Sequence, residues 1–172
     1  MSVKQVLDTF GKRVQQQSKS NLTKSKKKDT GELYNSIGYT LQVSKNSFRL
    51  AFTMTDYAAF VDKGVKGKTS SAKAPNSPFK FGSGTGEAGG LTNGINGWVQ
   101  RKRIQFQDRK TGRFYSYKQT AFMITRSIYN KGIATSNFFS KPFANEFKKL
   151  PDELVTAYGL ELHSFLEYTF KK

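Results

Sequence analysis

Ile37-Gly38-Tyr39-Thr40-Leu41-Gln42-Val43-Ser44-Lys45-Asn46-Ser47-Phe48-Arg49-Leu50-Ala51-Phe52-Thr53-Met54 is the stretch on which the fold turns. Side chains alternate across a strand, so Ile37, Tyr39, Leu41 and Val43 fall on one face of its first half. Phe48, Leu50, Phe52 and Met54 fall on one face of its second half. The polar Ser44-Lys45-Asn46-Ser47 separates the two runs as a turn would, which predicts a β-hairpin with one buried face.

Outward from the hairpin the apolar period changes from two to that of a helix. Upstream, Val3, Val6, Leu7, Phe10 and Val14 recur at helical spacing behind a Ser2/Gln5 capping box, predicting an amphipathic helix from residue 3 to about 19. Its outer face carries Lys4, Asp8, Lys12 and Arg13. Residues 18–30 lose this periodicity and read as a solvated basic linker holding Lys24, Lys26, Lys27 and Lys28. Downstream, Asp56-Tyr57-Ala58-Ala59-Phe60-Val61-Asp62-Lys63-Gly64 predicts a short helix over 56–63. Asp56 is placed to cap it, Tyr57, Phe60 and Val61 to line its core side, and Gly64 to stop it in a left-handed conformation.

The span from Lys66 to Gly97 is rich in Gly, Ser and Lys and broken by Pro75 and Pro78, so it reads as a long loop, functional or ordered on binding. Ile95, Trp98, Val99 and Lys102 then suggest a short helix. Asp108-Arg109-Lys110-Thr111-Gly112-Arg113 is a turn signal between Ile104-Phe106 and Phe114-Tyr115, predicting a small second hairpin or a basic protruding loop. A helix is expected from about Lys118 to Asn130, burying Ala121, Ile124 and Ile128, with Lys131-Gly132 as its stop. Ser140 or Lys141 as N-cap and Pro142 at the first position open another helix through Leu150. Pro151 restarts it, with Leu154, Ala157, Tyr158, Leu162, Phe165, Leu166 and Thr169 as its apolar stripe. The domain plan is a single domain over 1–172, with the basic linker 18–30 and a long loop insertion at 65–117.

Composition narrows the function classes. The chain of 172 residues carries 29 Lys+Arg against 12 Asp+Glu, a net charge of +17, which implies a polyanionic partner: nucleic acid, an acidic protein surface or anionic lipid. Cysteine is absent, which excludes thiol nucleophiles, thiolate metal sites and disulfides and fits assembly in a reducing cytoplasm. No apolar run reaches the ~18–20 residues of a membrane span, and the charged N-terminal stretch is unlike a signal peptide. Aromatic residues make up 14% of the chain, enough for a sizeable core or for extensive subunit contacts.

Catalytic constellations are weak. Gly84-Thr85-Gly86-Glu87-Ala88-Gly89 matches G-x-G-x-x-G, yet neither flank supplies the strand and helix of a dinucleotide site, so it reads as a flexible loop. His163 is the only histidine and reads as an ordinary helix-surface residue. Glu146, Asp152, Glu153, Glu161 and Glu167 lie on predicted helices, where lysine neighbours and helix N-termini account for them. These readings favour a protein that is not an enzyme, with no cofactor and no metal. The basic clusters are more substantial. Lys24, Lys26, Lys27 and Lys28 form one; Arg101, Lys102, Arg103, Arg109, Lys110 and Arg113 form another, interleaved with Phe106, Phe114, Tyr115 and Tyr117. Such a pattern suits a phosphate-tracking surface with stacking platforms. With no recognised nucleic-acid motif in the chain, a solvated charged face or a contact with an acidic neighbouring protein is the favoured reading.

Two segments carry a resemblance. Thr30-Gly31-Glu32-Leu33-Tyr34-Asn35-Ser36-Ile37 leads into the hairpin, and Tyr57-Ala58-Ala59-Phe60-Val61-Asp62-Lys63-Gly64 follows it. Together they resemble the "TGxLxxSI" and "YAxFVDxG" elements of the small head–tail joining (tail-completion, neck) proteins of tailed bacteriophages. The likeness runs in order along most of the chain. It includes the first helix, Gly31, Leu33, Ser36 and Ile37, then Tyr57, Ala58, Phe60, Val61 and Gly64, and the helical region from Ile95 to Gly132. Ser140-Lys141-Pro142-Phe143 resembles the family's "RPF" element, with Lys141 in place of Arg. The chain departs from the family in its 65–117 insertion and its extended terminal helix.

The resemblance implies an α+β fold in which a curved antiparallel β-sheet packs against an N-terminal helix, short middle helices and a long C-terminal helix. It further implies a virion structural protein, assembled in the host cytoplasm as a ring of identical copies between the portal or connector and the tail, with packaged DNA within reach and no membrane. Six or twelve subunits remain equally open. The alternative is a basic nucleic-acid-binding protein.

Overall fold

The computed structural model describes residues 2–25, 29–44, 47–83 and 90–170, with side chains described as far as Leu160. Along the chain run α1 (Val3–Lys24), α2 (Glu32–Ser36), β1 (Gly38–Ser44), β2 (Ser47–Thr53), α3 (Ala58–Lys63), α4 (Gly90–Arg101), α5 (Tyr117–Lys131), α6 (Ser140–Phe147) and α7 (Leu150–Phe170). The class is α+β, as expected. The chain divides into two compact units, residues 1–62 with 136–172, and residues 63–135. The expected loop insertion falls inside the second.

In the first unit the predicted hairpin forms with β1 and β2 antiparallel, Tyr39 opposite Phe52, Leu41 opposite Leu50 and Val43 opposite Phe48. Among the described residues these two strands make the whole sheet. A lone hairpin is marginal in water, so its apolar face must be covered. Helix α1 covers the end near the chain crossing, where Phe52 meets Phe10, Phe139 and Phe143 at ring separations of 6.1, 5.3 and 6.0 Å. Fully burying a ring such as Phe10 is worth roughly 1.5–3 kcal/mol, and the half-buried Phe52, Phe139 and Phe143 each contribute part of that. The buried face stops short of the turn: Val43 and Phe48 are exposed. Close packing of β1 on α1 depends on Gly11, because a Cβ there would lie 2.6 Å from the Tyr39 ring.

Capping at the start of α1 is as predicted, with Ser2 and Gln5 bonded reciprocally. The helix does not stop at residue 19. It continues to Lys24, with Ser18 and Leu22 fully buried, so the first part of the expected linker 18–30 is helix. Leu22 resumes the apolar stripe one turn after the polar Ser18, whose hydroxyl donates to Val14 O at 2.7 Å and so needs no water. Lys26, Lys27 and Lys28 lie outside the described residues.

In the second unit α4 packs on α5. Val99, Thr120 and Ala121 are buried, and Ile124 and Ile128, expected in the core, are half-buried. Gly132 ends α5 at φ 80° with its N–H donating to Ile128 O, as the sequence predicts. The reading of 66–97 as one long loop does not hold. Residues 65–83 are tied to the end of α5 by Val65 N to Ile133 O (3.0 Å), Ile133 N to Val65 O (2.8 Å) and Lys68 N to Tyr129 O (2.8 Å). Ala74 and Ser77 are buried there, and Ser77 Oγ donates to Gly64 O at 2.7 Å. From Gly90 the chain is helical despite Gly94 and Gly97. The G-x-G-x-x-G at 84–89 lies outside the described residues.

Candidate functional site

The residues singled out by their sequence fall into two groups, one in each unit. In the first unit, Leu33, Ile37 and Ala58 meet Leu22 and Phe138 in one buried cluster, with Val61 packed against it. Gly31 precedes α2 at φ 88°. Ser36 Oγ donates to Leu33 O at 2.9 Å and accepts from Thr55 N at 3.1 Å, pinning the lead-in to the hairpin against the chain that leaves it. Pro142 is buried, and Phe143 joins the aromatic cluster at 5.8 Å from Phe10.

Helix α3 corrects two expectations. It begins at Ala58, so Ala58 and Asp62, one turn apart, take the inward face, while Tyr57 and Phe60 are 40% and 44% exposed. Val61 is half-buried, as a core-side residue at the edge of that stripe should be. Gly64 follows with φ +71°, as expected for a left-handed stop.

Asp62 is the functional detail that the sequence reading missed. Its side chain is buried and reaches the start of α6, where Oδ1 accepts from Phe139 N at 2.9 Å and Ser140 N at 3.2 Å and Oδ2 accepts from Ser140 Oγ. Its carbonyl accepts from Ser136 N at 3.0 Å and Asn137 N at 2.9 Å. The N-cap position of α6 belongs to Phe139, which has no side-chain acceptor; neither Ser140 nor Lys141 is the cap. Asp62 supplies the missing acceptor from a distant point in the sequence, and a carboxyl group at a helix N-terminus also suits the helix dipole. Pro142 consequently sits within the first turn, where its missing N–H costs no intrahelical bond. The signal was present as an acid in the middle of an otherwise apolar helical face.

Glu146 is the second buried acid of this unit. Gln17 Nε2 donates to it at 2.9 Å, Lys149 Nζ lies at 3.2 Å and Arg13 at 3.7 Å. The Gln17 hydrogen bond, followed by those cations, holds its carboxyl below the ordinary value against the opposing effect of burial. Asp152 and Glu153 open α7, and Glu153 pairs with Arg13 at 3.1 Å.

In the second unit the basic residues surround one turn. Asp108 Oδ1 accepts from Lys110 N at 2.7 Å and Thr111 N at 3.2 Å, and Oδ2 accepts from Tyr115 OH at 3.2 Å. Those backbone bonds lower its pKa, and they use the carboxylate to build the turn rather than to neutralise its arginines. A single bridge, Gln107 to Phe114, closes the turn, so of the two expected forms, a small hairpin or a basic loop, the segment takes the loop. Arg109, Lys110, Arg113 and Phe114 are exposed on it. Arg101, Lys102 and Arg103 end α4, also exposed. Arg103 stands at φ 53° with Ile104 N bonded to Val99 O and Arg103 N to Gln100 O, the two bonds of a Schellman stop in which glycine is the usual occupant. Lys24, of the other basic cluster, is exposed at the end of α1 in the first unit.

No protein-family model, curated protein or solved structure matches the chain. The site is therefore interpreted from its own chemistry. Among the described residues no group of His, Cys, Asp and Glu side chains is arranged to hold a metal ion, and no helix is long and apolar enough to cross a membrane. What stands out is charge distribution. Residues 63–135 contain 14 Lys and Arg and only two acids, Glu87 and Asp108, whereas the rest of the chain has 15 against 10.

Proposed function

We propose that the chain is a ring-forming head–tail joining component of a tailed-bacteriophage virion, linking portal to tail. The observation that carries this reading is the convergence of the separated motif segments. Gly31 to Ile37, Tyr57 to Gly64 and Ser140 to Phe143 are far apart in sequence, yet Leu33, Ile37 and Ala58 share one core with Phe138, and Asp62 caps the helix that Ser140 opens. Order and spacing of short motifs mean little if their residues are scattered over a surface. They mean more when Leu33, Ile37, Ala58 and Phe143 among them are packed inside one compact unit; Gly64 and the helical region from Ile95 to Gly132 belong to the second unit.

On this reading the first unit is the ring scaffold and the second is an addition directed at partners: further copies of the chain, portal or connector protein, tail protein, or packaged DNA. Deleting the coding sequence from the phage genome that carries it should leave filled heads and free tails as separate particles. Joined particles in normal yield would overturn the proposal.

The second reading, a nucleic-acid-binding protein, is favoured by the 14 cations against two acids in residues 63–135. It predicts DNA affinity that falls with salt at a logarithmic slope near −0.9 for each phosphate neutralised. Absence of binding at about 0.15 M salt would remove it.

A further inference from the structure

The loop at 104–116 is held in shape by its own bonds. Asp108 N donates to Arg113 O at 2.9 Å, Gly112 N to Asp108 O at 2.8 Å and Gln107 Nε2 to Gly112 O at 2.7 Å, with Gly112 at φ 67°. Below the turn, Tyr115 N donates to Phe106 O at 2.9 Å, and Phe106 N donates to Thr120 Oγ1 at 3.2 Å, which ties the loop to α5. Side chains alternate along such paired arms, so Gln107 and Phe114 share one face and Phe106 and Tyr115 the other. Tyr115 OH holds Asp108 on that second face. The Phe114 ring, 67% exposed, therefore stands clear of the acid and beside Arg113.

Charge selects a polyanion for this face. Asp108 is the one acid among the described residues of the second unit, and both of its oxygens are engaged within the loop. Arg109, Lys110 and Arg113 are exposed around it, as is Arg103 at the foot of the same loop. Arg103 stands at φ 53°, where glycine is the favoured occupant, so its cation is carried at a conformational cost. Protein–protein interfaces are depleted in lysine at their cores, whereas nucleic-acid interfaces are much more positively charged. The 14 cations against two acids in residues 63–135 match the second kind. The aromatic ring then selects the form of nucleic acid. In a duplex the bases are stacked on one another and leave an exposed ring nothing to stack on; an unpaired base offers its π-face to any aromatic.

We propose that this loop is a binding site for single-stranded nucleic acid, with Arg109, Lys110 and Arg113 on backbone phosphates, Phe114 stacked on an unpaired base and Arg103 extending the cationic track. The site rests on the nucleic-acid reading of the second unit and narrows it, and it holds whether or not the first unit builds a ring. The sequence alone favours a solvated face or an acidic protein; the structure adds an outward ring on a face without a carboxylate. Because its hydrogen bonds already fix the turn, little ordering cost opposes the contact.

The test is fluorescence anisotropy on the full chain over a salt series, with a labelled oligothymidylate and with a blunt DNA duplex of equal length. At about 0.15 M salt the single strand should bind about tenfold or more tightly than the duplex. Phe114→Ala and Phe114→Leu should each lose roughly fivefold to a hundredfold in affinity for the single strand, with salt slope and Tm unchanged. Phe114→Tyr should keep that affinity, because stacking needs the ring and not merely its apolar area. Arg109→Ser, Lys110→Ser and Arg113→Ser together should make the slope of log K against log salt shallower by about 2, at about 0.7 for each phosphate given up. Arg103→Gly should weaken binding while Tm rises, a combination that a structural role for the arginine would not produce. Equal affinity for strand and duplex, or a Phe114→Ala variant that binds as the wild type does, would overturn the single-strand site and leave a general nucleic-acid surface. No binding to either at that salt would overturn the site and the nucleic-acid reading together. Poly-glutamate competing as strongly as the oligothymidylate would assign the face to an acidic protein and overturn the inference.

Discussion

Asp62 and Gly64 stand at one junction and do opposite things with their backbones. Asp62 gathers donors, and loss of its side chain would strand Phe139 N and Ser140 N in a half-buried place, where each unmet group costs up to about 1–3 kcal/mol. Asp62→Ala should therefore destabilise the first unit by about 2 kcal/mol or more, and Asp62→Asn by much less, since asparagine caps nearly as well. Equal losses in urea titration would mean that the capping geometry is not what matters. Gly64 makes room: a Cβ there would meet Ile133 O at 2.6 Å and Thr135 N at 2.7 Å, and its φ is +71°. Both neighbours are backbone and cannot swing aside. Gly64→Val should cost on the order of 2 kcal/mol, the left-handed conformation alone accounting for about 1. Wild-type thermal stability in that variant would refute the crowding. Arg103 is the reverse case, an arginine in a position suited to glycine at φ 53°. Arg103→Gly should raise Tm slightly, corresponding to gains of a few tenths to about 1 kcal/mol, and a lowered Tm would show that the arginine makes a contact worth more than its strain.

At the scale of elements, what was legible in the sequence followed burial on one side only. The hairpin, the capped start of α1 and the span of α5 were all readable, because period and caps are local signals. Residues 18–24 were misread because Ser18 interrupts the stripe, and a serine bonded to the carbonyl one turn back is invisible in a count of apolar residues. Residues 65–83 were misread because their order comes from backbone bonds to the end of α5, which leave no apolar period. Tyr57 and Phe60 were placed inward on hydrophobicity alone, while the small Ala58 and the capping Asp62 occupy the inward face. Helix α6 carries the pH dependence expected of the first unit. The Glu146 carboxyl, held low by Gln17 and then by Lys149 and Arg13, contributes stability that is present above its ordinary unfolded pKa. That contribution is lost as pH falls through the lowered folded value. Acid should thus lower Tm below about pH 4.5, the ordinary value for this group, and Glu146→Gln should flatten that dependence. A variant whose Tm still falls as steeply would place the acid sensitivity elsewhere.

At the scale of the whole molecule, residues 63–135 enter and leave the first unit at one place. Ser136 N donates to Asp62 O at 3.0 Å, so the chain ends that flank the second unit are already hydrogen-bonded to each other. Both buried clusters of the first unit draw only on residues 1–62 and 136–172, from Val6, Phe10 and Val14 to Phe138, Leu150 and Ala157. Closing a short loop between bonded ends costs little, because closure entropy grows only with the logarithm of length. A variant in which a short Gly-Ser linker joins Asp62 directly to Ser136 should therefore fold, with the helical circular dichroism of the remaining elements and a cooperative thermal transition. It would lose the local stop that Gly64 provides, so a Tm lower by several degrees is expected. The same excision removes 14 of the 29 cations, so a solubility or polyanion affinity set by net charge should drop with it. If residues 63–135 are an addition for contacting partners, the excised protein keeps its fold and loses the partner contacts made through that unit. An excised chain that fails to fold even at low temperature would make the second unit part of the scaffold, and the division of labour between ring body and contacting arm would fall with it.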